Sequence, residues 1–185
     1  MVKQLKEETR NKMEKSLEAL RHEFAQIRTG RASPALLDTI RVEYYGTMVP
    51  ISHIANVSAP EARLLVIQPW DRGMLPVIEK AILGSDLGIT PSNDGTVIRL
   101  SIPSLTEERR RELVRVVRRL AEDARVAVRN IRREAVERLR KAQREGTLSE
   151  DESRRAQKEV QDITDEYIGK VEEALAQKEA EILEE

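Results

Sequence analysis

Residues 113–142, LVRVVRRLAEDARVAVRNIRREAVERLRKA, decide the fold. Their apolar side chains Leu113, Val117, Leu120, Ala124, Val128, Ile131, Ala135, Leu139 and Ala142 recur at spacings of 4, 3, 4, 4, 3, 4, 4 and 3. The mean, about 3.6 residues, is one α-helical turn, so a continuous helix with a single apolar stripe is predicted. Ser104 and Glu107 fit a capping box at its start, and Gly146 fits its end. A helix of roughly 40 residues extends about 60 Å at 1.5 Å per residue, and its stripe needs partners to be buried.

Working outward, a second cap pair, Ser149 and Glu152, precedes Ala156, Val160, Ile163, Tyr167, Val171 and Ala174, again at helical spacing. Two long helices joined through Gly146 by a short loop form an antiparallel hairpin. At the other end of the chain Leu5, Met13, Leu17, Leu20, Phe24 and Ile27 repeat in the same way until Thr29-Gly30 stops them. Three helices with one stripe each close most simply as a three-helix bundle, the first docking onto the hairpin.

The residues between read differently. Arg41-Val42-Glu43-Tyr44-Tyr45, residues 53–58, Leu64-Leu65-Val66-Ile67 and residues 97–102 are short runs rich in β-branched and aromatic residues. Gly46, Pro60, Pro69, Pro91 and Asn93-Asp94-Gly95 punctuate them, and Leu75, Ile78, Ala81 and Ile82 fit one short helix. The expected class is therefore α+β in two domains. A long antiparallel bundle of residues 1–29 plus 105–185 is interrupted by a small β/α/β domain over residues 31–103. The chain crosses between them twice, near Thr29-Gly30-Arg31 and Pro103-Ser104, where hinges are expected.

Charge separates along the chain. Of 185 residues 35% are charged and 3% aromatic, and the formal net charge is −1. Yet residues 105–146 hold 14 basic and 8 acidic side chains, whereas residues 147–185 hold 5 and 13. A helical wheel places Arg111, Arg115, Arg118, Arg125, Arg129, Arg132, Arg133 and Arg140 between roughly 100° and 200° from Leu113, clear of the apolar stripe. Arginine offers a planar five-donor fork that engages phosphate oxygens bidentately, so this face suits a nucleic-acid backbone read by shape and charge. Alternatively the stripe is a solvated face, with Glu122 and Glu134 pairing locally at helical spacing.

Other chemistry is excluded or weak. The absence of cysteine removes disulfides, thiolate nucleophiles and Cys-based zinc sites. His22 and His53 lack metal-ligand or base-partner spacing, and Asp86 and Asp94 sit in glycine-containing turns. No phosphate-cradling glycine loop or nucleophile elbow occurs, so no enzyme, no cofactor and no metal is expected. Tyr44, Tyr45 and Trp70 could stack on bases, but in a chain with so few aromatics they are read first as core anchors of the insert. No apolar run approaches the roughly 20 residues of a membrane span. The charged start MVKQLKEETRNK reads as no secretory signal, and a cytoplasmic protein is expected.

Several of these stretches, in order, resemble the bacterial ribosome recycling factor family. They are Arg28-Thr29-Gly30-Arg31-Ala32-Ser33-Pro34, Val42-Glu43-Tyr44-Tyr45-Gly46, Ser85-Asp86-Leu87-Gly88, Asn93-Asp94-Gly95 with Ile98-Arg99, Leu105-Thr106-Glu107-Glu108-Arg109-Arg110 and Val126-Ala127-Val128-Arg129-Asn130-Ile131-Arg132-Arg133. The resemblance implies an L-shaped molecule of tRNA-like dimensions, a monomer without DNA or membrane partners. It implies binding to the post-termination ribosome through large-subunit rRNA. With elongation factor G and GTP, subunits would then separate and mRNA leave. It implies RNA contacts by Arg110, Arg129 and Arg132; the wheel adds Arg118, Arg125 and Arg133, but sets Arg110 beside the apolar stripe. It implies hinges at Arg28, Thr29, Gly30, Arg31, Pro103, Ser104 and Leu105. A coiled-coil adaptor and a general RNA chaperone are the competing functions.

Overall fold

The computed structural model describes residues 1–183. It divides into two compact units, one of Met1–Arg28 together with residues 106–183, the other of Thr29–Leu105.

The first unit is a bundle of three helices, α1 (Val2–Ala25), α3 (Glu107–Arg144) and α4 (Glu150–Leu183). Helix α3 begins one residue after Thr106, whose hydroxyl accepts from the Arg109 amide at 3.1 Å. Ser104, the expected cap, lies two residues before the observed one. Glu107 and Glu108 in the first turn and Lys141 and Arg144 in the last oppose the helix dipole favourably. The end of α3 is set by backbone geometry: Gly146 takes φ +79, the Gly146 amide donates to the Gln143 carbonyl and the Thr147 amide to that of Ala142. That reversal needs a residue without Cβ. The cap of the next helix lies three residues after Gly146, where Ser149 Oγ accepts from the Glu152 amide at 3.1 Å and the Glu152 carboxylate accepts from the Ser149 amide at 3.4 Å. This tight link makes α3 and α4 antiparallel.

Helix α1 ends at Ala25, short of the expected stop at Thr29-Gly30. It buries Leu5, Thr9, Met13, Leu17, Leu20 and Phe24. Its direction is visible in its ion pairs. Arg138 reaches Glu8 and Lys12 reaches Glu134, so α1 runs antiparallel to α3; Lys6 meets Glu159 and Arg10 meets Glu166, so it runs parallel to α4. The core at one end of this bundle joins Leu5, Leu139, Ala142, Leu148, Ala156 and Val160.

The second unit contains two antiparallel sheets and one helix. β1 (Arg41–Tyr44) pairs with β2 (Thr47–Pro50) through a two-residue turn in which Tyr45 and Gly46 both have positive φ, the geometry that matches strand twist. β3 (Ala55–Glu61), β4 (Leu64–Pro69), β5 (Ser92–Asn93) and β6 (Ile98–Ser101) form a sheet in the order β3-β4-β6-β5. Alternate residues Leu65, Ile67, Ile98 and Leu100 are fully buried and share a core with Leu75, Ile78 and Ile82 of α2 (Leu75–Leu83). β2 and β5 escape the sequence reading because TMVP and SN carry too little β-rich pattern.

Two of the expected aromatic anchors stand outside this core. Tyr45 is 85% exposed and Trp70 66% exposed. Tyr45 occupies a turn centre, and the two-residue alternation that buries Ile67 and Pro69 turns Trp70 outward. Aliphatic residues fill the interior, with Tyr44 packed against its margin.

Asp94 fixes the turn before β6. Its Oδ1 accepts from the Thr96 and Val97 amides at 2.9 Å each, and Oδ2 is bonded to Arg99. The Val97 amide chiefly, with Arg99 and Thr96, draws its carboxyl down from 3.8 to about 2. A lowered folded value stabilises the fold above the unfolded value, and the contribution disappears as pH falls through about 2. Asp94→Asn is therefore expected to be less stable than the parent at pH 5 and to approach it at pH 2, as measured by urea unfolding at each pH.

Candidate nucleic-acid interface

The structure sorts the α3 arginines into two groups. Arg118 Nε donates to Glu179 Oε1 at 2.6 Å. Arg125 grips Glu172 with Nε at 2.5 Å and Nη2 at 3.1 Å, and its Nη1 donates to Glu122 Oε2 at 2.7 Å. Arg129 Nη1 lies 3.6 Å from Glu122 Oε1, and Arg111 Nε lies 3.5 Å from Glu107. The Arg125 bond holds the Glu172 carboxyl below the usual carboxylate range; Glu172 in turn raises Arg125, and Glu179 raises Arg118.

The second group is unneutralised. Among the described residues Arg115, Arg132 and Arg140 make no ion pair, and Arg133 Nη1 donates to Asn130 Oδ1 at 3.4 Å. Register explains why Arg132 differs from Arg118 and Arg125. Antiparallel packing that sets 118 against 179 and 125 against 172 brings 132 level with Asp165 one heptad further. Asp165 accepts from Gln161, and the neighbouring Glu166 is bonded to Arg10 of α1. Arg132 is half-buried, so its stem packs while its guanidinium stays unmatched. Arg110 is half-buried in the first turn of α3, with a buried Nε.

The face that the wheel treats as uniform is thus differentiated by α4. Of the two local acids, Glu122 pairs within α3, whereas Glu134 meets Lys12 of α1 at 3.8 Å. Glu172 and Glu179 carry no local motif that marks them, although a hairpin centred near residues 148–149 places each opposite its arginine.

The crossing segments belong to the second unit. The Ala32 amide donates to the Ala62 carbonyl at 2.7 Å and the Ile102 amide to that of Arg63 at 2.8 Å, so both segments are tied to the β3–β4 turn. Gly30 takes φ +79, and a Cβ there would lie 3.1 Å from Leu105 Cγ. Gly30→Ala combines left-handed strain with this crowding and is expected to cost about 1–2 kcal/mol of stability. Thermal unfolding against the parent checks it.

A three-helix bundle interrupted by an α+β insert, with α3 arginines that have no carboxylate partner among the described residues, defines a class of two-unit factor with a cationic helical face. Within that class the chain belongs to the ribosome recycling factor family: the family profile described as Ribosome recycling factor matches residues 20–183. The chain is 57% identical over 184 residues to the ribosome-recycling factor of Heliobacterium modesticaldum, covering 100% of each. It is 56% identical to that of Thermus thermophilus, covering 98% of each. It is similar to a solution structure of the ribosome recycling factor, at 44% identity and TM-score 0.74, covering 98% of this chain and 97% of that one. It is also similar, at 55% identity and TM-score 0.66 over 100% of both chains, to a Thermus thermophilus ribosome recycling factor. That factor is described in models, with Escherichia coli elongation factor G, bound to the E. coli post-termination complex.

Proposed function

We propose that this protein is a translation factor that recycles ribosomes after termination, working with elongation factor G and GTP to separate the subunits and release mRNA. The observation that carries the mechanism is the set of α3 arginines without a carboxylate partner among the described residues, Arg115, Arg132, Arg133 and Arg140, beside Arg129, which Glu122 restrains on one side only. Guanidinium forks on rRNA phosphates hold the bundle by charge and shape, and release of counterions drives the binding. Arg110, Arg129, Arg132 and Arg133 are the contacts; Arg118 and Arg125 contribute less directly, since their donors already serve α4 carboxylates.

The insert delivers the movement. Residues 28–31 and 103–105 serve as hinges, a role supported by their position between the end of α1 at Ala25 and the start of α3 at Glu107, and by the left-handed Gly30. The protein makes and breaks no bond, and GTP hydrolysis belongs to elongation factor G. A cytoplasmic monomer fits this role, and no helix among the described residues is long and apolar enough to cross a membrane.

Light scattering of post-termination ribosomes with this protein, elongation factor G and GTP tests the function. Subunit separation that needs all three is expected. Absence of splitting under every condition overturns it, and equal affinity for free RNA and intact ribosomes would indicate a general RNA chaperone instead.

A further inference from the structure

We propose that Glu122 and Glu172 are specificity-determining residues of the α3 face: they withhold Arg125 from general anion binding and aim Arg129, so that the face favours rRNA held in one geometry over an arbitrary polyanion. This rests on the reading of α3 as the rRNA-binding face.

The four side chains form one chain from α4 to solvent. Glu172 takes the Arg125 fork through two bonds, and the third Arg125 bond goes to Glu122. Glu122 uses its other oxygen toward Arg129, at 3.6 Å. Arg125 is 17% exposed at its side chain, whereas Arg129 is 48% exposed. Arg125 therefore acts as a bracket: it has three donors committed inside the protein and holds Glu122 in place. Arg129, restrained on one side by Glu122, keeps its remaining donors for a ligand.

Two effects follow, of opposite sign for the two kinds of ligand. An arbitrary polyanion responds to summed charge, and two carboxylates against two guanidiniums cancel it locally, which lowers non-specific attraction. A phosphate fixed at one place on a folded RNA gains from an arginine already oriented, because less side-chain freedom is lost on binding. Weakening the wrong ligand while ordering the right one is how a charged surface discriminates. The Arg118–Glu179 pair lacks this extension: among the described residues none of its bonds continues to another arginine of the face.

The test compares binding to intact bacterial ribosomes with binding to poly(U) at one salt concentration, for the parent, Glu122→Gln, Glu172→Gln and the double variant. Each single variant is expected to bind poly(U) roughly 2- to 5-fold more tightly and ribosomes more weakly by a similar factor, the scale of one exposed charge pair. In an Arg129→Ala background, Glu122→Gln is expected to lose its effect on ribosome binding while still raising poly(U) affinity. Affinities for both ligands that rise together, or that stay unchanged, overturn the proposal. So does a lowered melting midpoint with the affinity ratio intact, which is what a merely structural pair would give. If Arg129→Ala and Arg132→Ala themselves leave ribosome binding unchanged, the rRNA-face reading fails, and that result is distinct from failure of the Gln variants alone.

Discussion

Arg132→Ala is expected to weaken ribosome binding by roughly 10- to 100-fold, the equivalent of the 1.5–3 kcal/mol carried by hydrogen bonds to a charged group. Its melting midpoint should barely move. The difference follows from where Arg132 sits: among the described residues it makes no ion pair, so truncation breaks no bond within the fold. The half-buried stem loses some packing, a cost of about 0.5–1 kcal/mol that moves the midpoint by only a few degrees. A salt titration gives the second readout. If Arg132 neutralises one phosphate, the slope of log affinity against log salt falls by about 0.7–0.9 in the variant. Unchanged binding, or an unchanged slope with a collapsed melting transition, would assign Arg132 to the fold instead.

Leu17→Ala carries the largest expected cost to stability. Leu17 is completely buried in α1, which is held to α3 and α4 by packing and exposed ion pairs across a long stretch of intervening sequence. Removing its side chain forfeits burial and leaves a cavity, at about 2–5 kcal/mol. Against total stabilities of about 5–15 kcal/mol this is a large fraction. With a urea dependence of about 1–3 kcal/mol per molar, the helical transition followed by circular dichroism should shift by roughly 1–3 M. Leu17→Met, which keeps volume, should cost less than about 1.5 kcal/mol. A Leu17→Ala shift no larger than the methionine variant's would mean that α1 is not part of the cooperative core.

Much of the bundle was legible because its signals are local. The α3 stripe, the Gly146 reversal and the Ser149–Glu152 cap depend on residues within one or two turns of each other, where spacing alone states which groups meet. The insert was legible in its central strands β4 and β6, whose buried alternation is dense, and illegible in β2 and β5, which exist through their partners. The cap of α3 is not decided by sequence, since Ser104 and Thr106 both offer a hydroxyl and only the extended backbone at Thr106, φ −71 and ψ 157, puts one over the Arg109 amide. For Trp70 and Tyr45 size and apolarity suggest burial, whereas strand phase and turn position decide it and leave both exposed.

The candidate site divides in the same way. Eight arginines on one face of α3 can be counted from the sequence, since helical periodicity fixes their angle. Which of them stay unneutralised cannot. That depends on α4 lying antiparallel in a register that gives Arg118 to Glu179 and Arg125 to Glu172, and on α1 taking Glu166 through Arg10.

By itself, then, the sequence determined the helices, their stripes, the interrupted order of the two units and the arginine content of one face, because each is set by backbone periodicity or by groups a few residues apart. The tertiary structure alone decided the electrostatic character of each arginine, because charge is cancelled by whatever lies within about 4 Å in space, and those carboxylates come from positions 47 and 61 residues away.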